Sequence, residues 1–207
     1  MNDIEPIVFL VDDDELFCRS TERLIRTAGL NVQPFISARD FLKGPRPEGP
    51  ACLVLDVRMP GLSGLELQQE LVRLSLHIPI IFMTGHGDIP MSVRAMKAGA
   101  AEFLTKPISD EVLLGAIRAA IEQDRSRLKK QSETRELREC YEHLTPRERE
   151  VMALVAHGLL NKQVAGKLST TEATIKFHRA HIMRKMRADS LADLIRKAEK
   201  LGTSGQD

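Results

Sequence analysis

The chain has 207 residues, 43% hydrophobic and 29% charged, enough for one large domain or two small ones with a true core. No run of about 18 apolar residues occurs, and the first residues lack the basic and apolar segments of a secretory signal, which excludes a spanning helix and argues against export. The net charge of +1 hides a division: residues 1–121 hold 12 Lys+Arg against 16 Asp+Glu, residues 122–142 hold 6 against 6, and residues 143–207 hold 12 against 7. An acidic front and a basic back predict different partners, a polyanion for the back. Cys18, Cys52 and Cys140 are scattered and show no CxxC spacing, so they are expected as reduced thiols in a cytoplasmic protein.

In chain order, apolar runs predict strands at 7–11, 32–35, 53–55, 78–83 and 102–104. Helical patterns between and after them cover 16–28, 38–42, 65–74, 89–98 and 110–121. Five such alternations predict an α/β fold, a doubly wound five-stranded parallel sheet. The unbroken run Leu53-Val-Leu55 before Asp56 suits a strand covered on both faces, and Pro60, Gly61 and Gly64 then force a turn. Residues 122–142 carry dense charge of both signs and few apolar residues, and are expected as a helical linker.

The remainder reads as all-α. Thr145-Pro-Arg-Glu148 is a capping box with Pro at the first helical position, opening a helix that stops near Gly158. Asn161 is expected to cap a short helix over 162–168, Thr171 a longer one over 172–187, and Ser190 a last one ending near Gly202. The turn Ser169-Thr-Thr171 joins two of these into a helix-turn-helix in a basic segment.

Ligands of open α/β sheets bind beyond the carboxyl ends of the strands. There the sequence places Asp12-Asp13-Asp14, Asp56, Thr84 and Lys106. Asp13 or Asp14 is expected to cap the following helix. Asp12, Asp13 and Asp56 together are unfavourable without a cation, and hard oxygen ligands select Mg²⁺ or Mn²⁺. Lys106 could hold an added phosphoryl group as a point charge, and the Thr84 hydroxyl could donate to it. A carboxylate nucleophile with a divalent metal, a lysine and a hydroxyl is chemistry for accepting phosphate.

On these residues, 4–121 resembles the receiver domain of bacterial response regulators. The resemblance assigns the acidic pair to Asp12 and Asp13 and the phosphoacceptor to Asp56. It assigns the switch hydroxyl to Thr84, the lysine to Lys106 before a cis Pro107, and a metal-binding backbone carbonyl to Arg58. The switch aromatic, commonly Tyr, falls on Phe103. Residues 143–202 resemble the LuxR-type helix-turn-helix through Leu-Thr-Pro-Arg-Glu-Arg-Glu-Val, Asn-Lys-Gln-Val-Ala and the helix Thr174-Ile-Lys-Phe-His-Arg-Ala-His-Ile-Met-Arg-Lys-Met. The pairing is that of the NarL/FixJ class, and Gly-His-Gly-Asp-Ile-Pro-Met leans toward FixJ.

Within the basic segment Ile175, His178, Ile182 and Met186 follow one helical stripe and are expected inside. Lys176, Phe177, Ala180 and Arg184 lie opposite. The resemblance puts base contacts at Lys176, Phe177 and Ala180, while Lys162, Thr171, Arg179 and Arg184 are candidates for phosphate contacts. The expected organisation is a receiver over 1–121, a linker over 122–142 and a DNA-binding domain over 143–207. The resemblance implies a cytoplasmic transcriptional regulator that takes phosphate from a sensor histidine kinase, dimerises, binds double-stranded DNA and meets RNA polymerase. It implies no enzyme activity beyond self-phosphorylation and self-dephosphorylation, and no membrane partner.

Two other readings compete. Asp12-x-Asp14 also fits a haloacid-dehalogenase-type phosphatase, with Asp12 as nucleophile and Asp14 as acid/base. Asp56 would then be idle, and neither a cap insertion nor a late acidic metal ligand is present. A phosphorylation-independent binding module is the third reading, and the intact acceptor set argues against it.

Overall fold

The structure, a computed structural model, describes residues 4–85 and 89–202. It separates into two compact units, Met1–Leu128 and Lys129–Asp207.

The first unit contains β1 (Ile7–Val11), α1 (Glu15–Thr27), β2 (Asn31–Phe35), α2 (Ala38–Lys43) and β3 (Ala51–Asp56). It continues with α3 (Gly64–Arg73), β4 (Ile80–Thr84), α4 (Ile89–Lys97), β5 (Glu102–Thr105) and the start of α5 (Asp110–Glu142). The strands form one parallel sheet in the order β2-β1-β3-β4-β5. Alternation explains why both faces are apolar. Phe9, Leu53, Leu55 and Phe82 meet Phe41, Leu67, Leu71 and Ala95 on one side, which covers that face with α2, α3 and α4. Val8, Leu10, Val54 and Ile81 meet Ile25, Leu113 and Ile117 on the other, under α1 and α5. Every residue of β3 is buried, as its uninterrupted apolar run predicts. Pro34 sits in β2, an edge strand where a missing N–H breaks no ladder.

The strands and helices match the predicted order, with ends moved by a residue or two. Residues 122–142 are helical as expected and continue the preceding helix, giving α5 a length of 33 residues. No Gly or Pro interrupts that stretch, and pairs such as Arg125–Glu122 at 3.0 Å and Arg127–Asp124 at 2.8 Å support it. It is not uniformly a solvated face. Asp124 is buried and accepts from the Ala51 N–H at 3.0 Å, satisfying the first residue of β3, while Leu137 lies in the core of the second unit.

The second unit adds α6 (Pro146–Ala156), α7 (Asn161–Lys167), α8 (Glu172–Lys185) and α9 (Leu191–Lys200) to the end of α5. Its caps follow from local chemistry. Thr145 and Glu148 form the predicted capping box, and Thr171 and Ser190 accept from the N–H of Thr174 and Asp193. The start of α7 differs from expectation. Leu160 occupies the cap position, its N–H satisfied by Gln163 at 2.8 Å, because the Asn161 side chain is turned to Arg179 instead. Ser169 adopts φ 50, which lets the chain reverse between α7 and α8. Ile175, Ile182 and Met186 are buried as predicted, whereas His178 is only half-buried at the edge of that stripe.

Candidate functional site

Register brings the candidate residues of the first unit to one sheet edge. Val11 pairs with Leu55, so Asp12 emerges beside Asp56, the last residue of β3. Asp56 is level with Met83, and Thr84 with Thr105, so Thr84 and Lys106 follow on neighbouring strands. Lys106 N donates to the Thr84 carbonyl at 2.8 Å, and the Lys106–Pro107 peptide is cis.

At the centre, Lys106 Nζ donates to Asp12 Oδ2 at 2.6 Å and to Asp56 Oδ1 at 2.8 Å. Asp56 Oδ2 accepts from the Arg58 N–H at 2.6 Å, and Asp12 Oδ1 from the Asp14 N–H at 2.9 Å. Asp12, Asp56 and Thr84 are buried. Burial would pull the Lys106 pKa down, but its bonds to Asp12 and Asp56 outweigh that and hold it above the ordinary value. Burial also pushes the Asp12 carboxyl up, against the opposing pull of Lys106. Two carboxylates thus share a single ammonium in a largely buried setting. Burial pushes the Cys18 thiol up to about 11 and Cys52 up to about 12, so neither supplies a thiolate nucleophile at neutral pH.

Asp14, not Asp13, caps α1, accepting from Leu16 and Phe17. That frees exposed Asp13 to line a cleft of about 550 Å³ with Arg58, Met59, Pro60, Ser63 and Met91. Among the described residues, no three His, Cys, Asp or Glu side chains gather as a ready metal cage. Mg²⁺ does not require one, since it is usually held by one or two carboxylates and keeps several waters. Asp12 and Asp56, with Asp13 on the cleft, are oxygen donors with one ammonium among them, the donor chemistry that ion takes. Phe103 is half-buried against the apolar face, its ring centroid 6.2 Å from that of Phe82. The Gly-His-Gly-Asp-Ile-Pro-Met motif runs through residues 86–88, which lie outside the described residues.

Two neighbours of this cluster escaped the sequence reading. The Phe17 ring centroid stands 3.9 Å from Lys106 Nζ, and Gly64 packs against the Asp56 backbone. Phe17 follows the spacing of the predicted helix over 16–28 and nothing more marks it there, while Gly64 is marked only as a turn former.

On α8, Lys176, Phe177, Ala180 and Arg184 are exposed, as is Lys162 on α7, and they present a basic face with one apolar ring. Phe177 is 60% exposed, with its ring 4.2 Å from that of His181. Two candidates are already engaged: Arg179 donates to Asn161 Oδ1 at 2.6 Å, and the Thr171 hydroxyl accepts the Thr174 N–H at 3.2 Å. Glu148 anchors α8 from inside, accepting from Lys185 at 2.7 Å and from the Thr145 N–H at 2.8 Å.

The family described as response regulator receiver domain matches residues 8–118, and that described as bacterial regulatory proteins, luxR family, matches residues 142–198. The chain is 57% identical over 198 residues to nodulation protein W of Bradyrhizobium diazoefficiens, covering 96% of this chain and 87% of that one. It is 40% identical over 200 residues to the transcriptional regulatory protein FixJ of Azorhizobium caulinodans, covering 97% and 95%. The solved structure of response regulator StyR superposes with a TM-score of 0.86 at 47% identity, covering 95% of this chain and 99% of that one.

Proposed function

The chain belongs to the response-regulator family, joining a receiver domain to a LuxR-type DNA-binding domain as in the NarL/FixJ class, and from that premise we propose that phosphorylation of Asp56 switches its binding to promoter DNA. The observation that carries this reading is Asp56 at the end of the central strand, bonded to Lys106 and followed directly by Val57 and Arg58, which line the cleft with Asp13. We assign the receiver to 1–121, the linker to 122–142 and the DNA-binding domain to 143–207.

In this mechanism a phosphohistidine of a sensor kinase docks at the cleft and an Asp56 oxygen attacks phosphorus. The phosphorus–nitrogen bond breaks, the imidazole leaves, and an acyl phosphate remains on Asp56. Asp12, Asp13, Asp56 and the Arg58 carbonyl would hold Mg²⁺, which when bound neutralises charge on the transferring group. Lys106 supplies a fixed ammonium beside the acceptor. Thr84 turns its hydroxyl to a phosphoryl oxygen, and Phe103 follows into the space this opens. The activity is limited to gaining and losing this phosphate. The altered surface favours a homodimer, whose paired α8 helices enter successive major grooves. Lys176, Phe177 and Ala180 face bases there, and Lys162, Thr171, Arg179 and Arg184 lie toward phosphates, positioning the protein for RNA polymerase in the cytoplasm. No helix among the described residues is long and apolar enough to cross a membrane.

Incubation with acetyl phosphate and Mg²⁺ tests the reading. The parent should gain one labile phosphate and hold DNA more tightly, and Asp56→Asn should fold normally and gain none. Asp13→Ala should need more Mg²⁺ to label. Repeated turnover from Asp12 would overturn the reading in favour of a phosphatase.

A further inference from the structure

Lys106 is held from two directions by one short segment. Asp12, just after β1, takes its ammonium at 2.6 Å, and Phe17, in the first turn of α1, lays its ring centroid 3.9 Å from the same nitrogen. The Phe17 backbone is pinned by the helix cap: Asp14 accepts from Leu16 N at 2.9 Å and Phe17 N at 3.1 Å. Its neighbour Leu16 is 79% exposed, whereas Phe17 packs on the core beneath α1. Asp12, Asp14 and Phe17 thus act as a grip, a hinge pin and a cover.

The geometry points to Phe17 as a positioning residue for phosphoryl transfer, keeping the Lys106 ammonium over the acceptor. It rests on the reading of Asp56 as acceptor. The physical case is the ring quadrupole, whose negative face attracts a partly desolvated ammonium. The Lys106 side chain is 20% exposed, so the contact is shielded from water on most sides. Lysine has three N–H donors, and Asp12 and Asp56 take two. Attraction to a π face requires no fixed N–H direction. Nζ can therefore rotate a donor to an arriving phosphoryl oxygen without leaving its place. An aliphatic side chain could fill the same volume but would not restrain the charge.

The test measures initial labelling of the full chain by radiolabelled acetyl phosphate with Mg²⁺. Phe17→Leu and Phe17→Met should label about threefold to tenfold more slowly than the parent, while Phe17→Tyr stays within about twofold, since only the first two lose the π face. In a Lys106→Met background, Phe17→Leu should cause no further loss. Met offers an unbranched alternative should Leu impair folding, checked by thermal melts. Parent-like rates in the aliphatic variants, a Tyr variant as slow as Leu, or further slowing without Lys106 would each overturn the inference. A parent that takes no label on Asp56 would instead overturn the acceptor reading beneath it.

Discussion

Gly64 and Asp56 leave no room between them for a side chain: a Cβ on Gly64 would overlap the Asp56 carbonyl oxygen and crowd the Val57 Cα. Gly64 also donates its N–H to the Val57 carbonyl at 3.0 Å, so the turn after β3 is tied against the acceptor strand. Gly64→Ala must push the Asp56 backbone, at a cost of about 1–3 kcal/mol, and should slow phosphate labelling. Gly61→Ala is the control, because Gly61 has φ +81 but open space around its Cα. It should cost about 1–2 kcal/mol in strain and leave labelling intact. Urea midpoints and acetyl phosphate labelling of both variants check this.

The α4 face exposes Ile89, Val93 and Met96, next to the strand that carries Phe103. A rearrangement of Thr84 and Phe103 would reach that surface first. Val93→Glu and Met96→Glu should abolish the phosphorylation-dependent increase in sedimentation coefficient while leaving labelling of Asp56 unchanged. Sedimentation velocity with and without acetyl phosphate measures both the shift and its loss.

Glu148 contributes to the acid sensitivity of the second unit. Burial alone would raise its pKa, but bonds from Lys185 and from the Thr145 N–H and hydroxyl outweigh this and hold it below the ordinary 4.5. A carboxyl with a lower pKa folded than unfolded takes up its proton more readily on unfolding. Its contribution is therefore complete above about pH 4.5 and lost as pH falls through the lowered value. Tyr141 is the sole Tyr in a chain without Trp and lies in the second unit, so its fluorescence follows that unit's unfolding. Glu148→Gln should lower the unfolding free energy at pH 7 by about 1–3 kcal/mol, seen as a lower urea midpoint, and flatten the fall below pH 4.5.

The second unit begins before residue 143. Leu137 is buried in its core, Cys140 and Tyr141 pack against it, and Arg149 stands 5.1 Å from the Tyr141 ring. A fragment of residues 129–207 should fold and bind DNA with a steep salt dependence. One of residues 143–207 should be less stable by about 2–5 kcal/mol, having lost the Leu137 side chain and its neighbours. Circular dichroism melts of the two fragments, with DNA binding measured across a salt series, decide it.

What the sequence determined by itself is whatever depends on neighbours a few residues apart or on periodicity. The unbroken apolar run of β3, the capping box of Thr145 and Glu148, and the stripe through Ile175, Ile182 and Met186 are of that kind. The set Asp12, Asp56, Thr84 and Lys106 was legible too, because a parallel sheet delivers all its strand ends to one edge. Only the tertiary structure decided how those groups pair. Lys106 bonds Asp12 across 94 residues, and Asp124 satisfies Ala51 across 73. Asn161 serves Arg179 rather than its own helix, and the start of α7 shifts accordingly. In each case a polar group inside or beside the core must find a partner, and packing brings close a better one than the local backbone offers. Periodicity records which face a residue takes, but not which distant charge it will meet there.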